Sequence, residues 1–80
     1  MYPTVKNVVP QDNYMLALEF DNGELRKLDM KPYLDFGVFK RLKDIENFTK
    51  VRVSFDTVEW PAGVDLDPEF LYRKSVLPCA

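Results

Sequence analysis

Residues 14–30 read YMLALEFDNGELRKLDM, and the fold turns on how this stretch pairs with itself. Tyr14, Leu16, Leu18 and Phe20 alternate with Met15, Ala17 and Glu19. That is the period of two of a strand with one buried face. Asp21-Asn22-Gly23 follows, a strong hairpin signal, because Asn and Gly tolerate positive φ. Residues 24–30 are then the returning strand. A two-residue loop at Asn22-Gly23 would set Leu18 opposite Lys27 and Leu16 opposite Asp29. A three-residue loop with Gly23 in a left-handed bulge sets Leu16 opposite Leu28 and Tyr14 opposite Met30. Only the second register gathers the apolar side chains on one face, and a buried face specifies register. It is the one expected.

On the N-terminal side, TVKNVVP (residues 4–10) is a short β-branched strand, with Pro10 ending it or marking a sheet edge. QDN (residues 11–13) has turn composition. On the C-terminal side the period changes. In residues 31–44, KPYLDFGVFKRLKD, Leu34, Val38 and Leu42 run on to Ile45 near helical spacing, with Phe39 beside them. Pro32 suits a first helical turn, and Asp29 is placed to cap it. Gly37 ends that turn and admits a second helical segment over 38–43, with Lys40, Arg41 and Lys43 on its wet side. Alternation returns in NFTKVRVSF (residues 47–55), where Val51, Val53 and Phe55 share a face. DTVEW (residues 56–60) is its hairpin partner. Asp67 is a good N-cap, Pro68 a good first residue and Glu69 a favourable first-turn anion for a last helix, with Arg73 and Lys74 suiting its C-terminal end. The order β-β-β-α-β-β-α predicts one α+β domain over residues 1–80, an antiparallel sheet of about five strands carrying two short helices.

The composition limits function. A chain of 80 residues buries a small core. Its 14% aromatic content helps that core reach sufficiency. The formal net charge of -2 opposes non-specific nucleic-acid binding, which needs a cationic footprint. The absence of histidine removes Ser-His-Asp and Cys-His nucleophilic sites, histidine-ligated zinc and the commonest general base. One cysteine, Cys79, allows neither an internal disulfide nor a thiolate zinc site, and a small domain without bridges suits a reducing cytoplasm. No segment has the pattern of a membrane span or a signal peptide. The three glycines, Gly23, Gly37 and Gly63, are too far apart for a phosphate-binding loop. The expectation is a cytoplasmic protein that is not an enzyme and holds no cofactor.

The richest segment is EWPAGVDLDPEFLY, residues 59–72. Asp65, Asp67 and Glu69 alternate there, as loop ligands of Mg²⁺ or Ca²⁺ do, but the further acids of an EF-hand are missing. The preferred reading is scaffolding, with Asp67 and Pro68 starting the helix and Pro61 and Gly63 shaping the turn. No metal is therefore expected. Trp60 is either core or an interface anchor, and the Tyr72 hydroxyl is expected to reach the 60–65 loop. Lys40, Arg41, Lys43, Lys50 and Arg52 form a candidate patch for an acidic partner or a phosphate. Trp60, Asp65, Tyr72, Lys40, Arg41 and Lys43 are the candidate partner-binding residues. Asn22, Gly23, Pro61, Gly63, Asp67 and Pro68 are the structural turn and cap residues.

These strings resemble a bacterial family of small proteins, the domain-of-unknown-function family 2442. The signature Trp-Pro-x-Gly-x-Asp-(Ile/Leu)-x-Pro-x-x-Leu-Tyr is met by Trp60, Pro61, Gly63, Asp65, Leu66, Pro68, Leu71 and Tyr72. The Phe20-Asp21-Asn22-Gly23 hairpin with Asp29 is the second point of likeness. The resemblance implies an α+β fold and no established activity. It also implies a neighbouring toxin gene, and hence an antitoxin-like role with a protein partner. The chain stops soon after Tyr72, so the helix-turn-helix extension of some relatives is not expected. A nucleic-acid-binding accessory role through the basic residues is the alternative. A homodimer formed by sheet extension, or a partner strand added at the edge over residues 5–9, completes the expectations.

Overall fold

A computed structural model describes residues 3–77. The Phe20 N–H donates to the Glu24 carbonyl at 2.9 Å, and the Gly23 N–H donates to the Phe20 carbonyl at 3.0 Å. The loop is therefore three residues long, and Gly23 sits at φ +89°, where a Cβ would be strained. This sets β2 (Met15–Phe20) against β3 (Leu25–Asp29) with Leu16 opposite Leu28, the register expected from apolar matching. Tyr14 continues it by accepting the Met30 N–H at 3.0 Å. Leu16, Leu18, Phe20, Leu28 and Met30 are all buried.

β1 (Val5–Gln11) pairs antiparallel with β2, with an irregularity between Val5 and Asn7. Phe20 addresses β3 with its amide, so by alternation Met15, Ala17 and Glu19 address β1. Their partners Gln11, Val9 and Asn7 turn their backbone groups toward β2, leaving the backbone of Val8 and Pro10 to face the outer edge. Pro10 does not end the strand. It marks the edge, where its missing N–H costs no ladder bond. On the opposite edge Lys27 and Val76 exchange backbone hydrogen bonds of 2.7 and 2.8 Å, so the C-terminal segment covers the middle of β3.

Residues 31–48 do not form the expected helical face. Two 3-10 helices, Lys31–Tyr33 and Gly37–Lys43, precede a single α-turn, α1 (Ile45–Phe48). At three residues per turn, positions four apart no longer superpose. Leu34, Leu42 and Phe48 are buried, whereas Val38 and Ile45 stand about half exposed. Gly37 has φ +53°, consistent with its role between two helical turns. The Asp29 carboxylate accepts the Lys31 N–H at 2.9 Å, as expected of a cap.

The second half makes its own sheet: β4 (Arg52–Ser54), β5 (Thr57–Trp60) and β6 (Val64–Asp65) in that order, all antiparallel. The strands thus form two three-stranded sheets, β1-β2-β3 (sheet A) and β4-β5-β6 (sheet B), rather than one sheet of about five. The 3-10 passage between β3 and β4 separates them. Among the described residues one backbone hydrogen bond, from Val5 N–H to Asp56 O at 3.3 Å, joins them. Side chains complete the junction. Val58, Trp60, Val64 and Leu66 meet the buried face of sheet A, and Leu71 of α2 (Pro68–Lys74) closes the same core. The α+β class is as expected.

Ser54 pairs with Thr57, so the β4–β5 turn has two residues, Phe55 and Asp56. Phe55 adopts φ +55° and is 99% exposed. It does not share a buried face with Val51 and Val53, because the turn takes it out of the strand.

Candidate functional site

The segment from Trp60 to Tyr72 divides into three structural tasks. The Trp60 ring is 2% exposed, and its indole N–H donates to the Phe48 carbonyl at 2.9 Å. That is the core position: the ring offers no surface for a partner. Pro61, Ala62 and Gly63 turn the chain, with Gly63 N–H donating to Trp60 O at 3.1 Å. Gly63 has φ +86°, and a Cβ there would lie 3.1 Å from an Arg41 guanidinium nitrogen. Arg41 uses that nitrogen to donate to Ala62 O at 2.7 Å. One sequence-predicted partner residue therefore holds the turn that carries another.

The three acids do not converge. Asp65 is exposed on β6, opposite Glu59. Asp67 accepts the Glu69 N–H at 2.8 Å, capping α2, and Pro68 opens the helix. Glu69 pairs with Arg73 one turn on, at 3.1 Å. No cluster of three or more metal-ligating side chains occurs among the described residues. Cys79 lies outside them.

Tyr72 binds elsewhere than expected. Its hydroxyl donates to Glu24 Oε2 at 2.7 Å, not to the 60–65 loop. The Asn22 amide donates to the same oxygen, and Glu24 N–H donates to Asn22 Oδ1 at 3.0 Å. Arg26 takes the other carboxylate oxygen, Nε at 2.9 Å and a terminal nitrogen at 2.8 Å. Its second terminal nitrogen donates to Ser75 O at 3.0 Å, and its guanidinium stacks 4.2 Å over the Tyr72 ring. The edge of the Phe20–Tyr72 ring pair sits beneath, centroids 5.2 Å apart. The Tyr72 hydroxyl, then the Asn22 amide, with Arg26 assisting, hold the Glu24 carboxyl below the usual glutamate range.

This cluster unites Asn22 and Tyr72 with Glu24 and Arg26, two residues that the sequence alone does not single out. Both carboxylate oxygens are engaged by fixed donors, and the phenol is spent on one of them. The arrangement clamps α2 and the following residues onto the β2–β3 hairpin, leaving no lone pair poised for proton transfer.

Two of the five basic patch residues are held in ion pairs. Lys43 pairs with Asp35, and the Tyr14 hydroxyl donates to the Lys43 carbonyl at 2.5 Å. Lys43 in turn depresses the Asp35 carboxyl, with a smaller push from Lys40. Arg52 pairs with Glu59 at 3.1 Å. Of the predicted patch, Lys40, Arg41 and Lys50 stay outside the ion pairs among the described residues, Arg41 being bound to a carbonyl instead.

The exposed apolar side chains form the other inventory. Phe36 is two-thirds exposed, and Val38 and Ile45 follow it within ten residues. Val9 and Leu25 stand out from the outer face of sheet A, and Phe55 from the β4–β5 turn. No helix among the described residues is long and apolar enough to cross a membrane.

A family model described as "Protein of unknown function (DUF2442)" matches residues 5–76. No curated protein and no solved structure matches the chain.

Proposed function

The chain belongs to the family described as Protein of unknown function (DUF2442), and from that membership, which supplies no activity, we propose that it is a non-catalytic protein-binding module. The observation that carries this reading is the set of exposed apolar side chains over residues 36–45. Phe36, Val38 and Ile45 are exposed there beside Lys40, in a chain whose gathered polar groups are consumed in internal bonds. Interfaces are anchored by such aromatic and aliphatic side chains with polar groups at the rim. A protein partner with an apolar groove and an acidic border fits best. An antitoxin-like partnership with the product of an adjacent toxin gene is the form that the family resemblance suggests. A cytoplasmic setting goes with it.

The reading favours protein over nucleic acid because Lys43 and Arg52 are already neutralised and Arg41 is turned onto Ala62. The test is co-purification of the full chain with its neighbouring gene product, followed by titration calorimetry. A micromolar complex that weakens at least tenfold in Phe36→Glu, with unchanged circular dichroism, supports the proposal. No complex at micromolar concentration would overturn it, and a salt-sensitive gel shift lost in Lys40→Glu would replace it with the nucleic-acid reading.

A further inference from the structure

The outer face of sheet A and the β4–β5 turn have complementary features. The face carries a concavity of about 460 Å³, lined by Asn7, Val9, Ala17, Glu19, Leu25 and Lys27 among others. Val9 and Leu25 are each more than half exposed, an apolar floor open to water. Glu19 is occupied by the Asn7 amide at 2.8 Å, whereas the Lys27 ammonium has no ion pair among the described residues. The turn supplies the converse: a fully exposed phenyl ring, Phe55, followed by Asp56, whose carboxylate likewise has no ion pair there.

Phe55 holds a backbone conformation that bulky residues rarely adopt, at the turn position that favours glycine. Nothing inside the domain compensates, since the ring touches no core. The Asp56 carbonyl is tied to Val5 N–H, and Val5 lies two residues from Asn7 on the rim of the concavity. Projection and hollow are therefore neighbours on one molecule. That is the condition for a twofold pair in which each copy gives one projection and receives one.

We propose that two copies of this chain associate reciprocally, Phe55 of each entering the sheet A concavity of the other, with Asp56 set against Lys27. A ring of this size removes a large apolar area from water on insertion, and the acid–ammonium pair fixes which end of the hollow it enters. The association uses none of Phe36, Val38 or Ile45, so its failure and that of the partner reading are separable.

Sedimentation velocity of the full chain from about 1 to 500 μM tests it, spanning the range of a weak specific dimer. The wild type is expected to dimerise within that range. Phe55→Gly keeps the turn but removes the ring, and Leu25→Lys spoils the hollow. Each alone is expected to weaken association at least tenfold with the fold intact by circular dichroism. Mixing the two variants is expected to restore a heterodimer through one intact contact. Asp56→Lys and Lys27→Glu are each expected to weaken the pair and together to recover it. A wild type that stays monomeric to 500 μM overturns the proposal and leaves the hollow to another protein. A Phe55→Gly chain that dimerises as the wild type does, or variants that do not complement, overturns it equally.

Discussion

The Tyr72 hydroxyl and the Glu24 carboxylate, 48 residues apart in the chain, meet at 2.7 Å. One hydrogen bond thereby fastens the C-terminal helix to the turn of the central hairpin, and Arg26 covers it from above.

Tyr72→Phe deletes that donor and keeps the ring stacked between Phe20 and Arg26. Stability at pH 7 is expected to fall modestly. The pH dependence is the sharper check. The Glu24 carboxyl is depressed in the folded state, chiefly by Tyr72, and Asp35 by Lys43. The folded state thus binds fewer protons, and these groups stabilise it above the ordinary carboxylate range. That contribution fades as pH falls through the folded values. The gap between Tyr72→Phe and wild type in urea titrations is expected to be largest near pH 7 and to narrow toward pH 3.

Asp67→Ala removes the side-chain cap at the start of α2, and the Glu69 N–H loses its acceptor. The expected cost is about 1 kcal/mol, seen as a drop of roughly 4–8 °C in thermal midpoint for a domain of this size. Asp67→Asn should recover most of it. A metal role for Asp67 would instead leave the metal-free thermal midpoint unmoved.

Phe55→Gly is expected to stabilise the monomer, measured at low micromolar concentration. Left-handed backbone at a bulky residue costs of order 1–3 kcal/mol, while the added freedom of an unfolded glycine takes back about 0.4–1 kcal/mol. The net gain is about 1 kcal/mol. Phe55→Ala should gain far less, because alanine still has a Cβ.

Trp60→Phe shrinks a ring at the centre of the core and orphans the Phe48 carbonyl. The combined loss of packing and of a buried hydrogen bond is expected to cost about 2–4 kcal/mol by chemical denaturation.

The sequence exposed sheet A well and sheet B less so. Gly23 and apolar matching defined the β2–β3 register because both signals are local. Asp67 and Asp29 were readable as caps for the same reason. Phe55 was misplaced because period-two alternation carries no mark where a strand gives way to a two-residue turn, and the turn lacks its usual glycine. Val38 and Ile45 were placed inward by a 3.6-residue period that the tighter 3-10 turns do not keep. The Glu24–Arg26–Tyr72 cluster had no local signal, since its members come from a hairpin and a helix far apart in the chain. Trp60 and Tyr72 looked alike as aromatic anchors. One lies in the core, and the other is stacked under a guanidinium.

The pairing of Lys27 with Val76 has a bearing on biosynthesis. A ribosome releases the hairpin long before it releases Val76, so the outer amides of β3 are born uncovered. During that interval the nascent chain offers a ready template for strand addition. A stop codon just upstream of Val76 would make that transient exposure permanent.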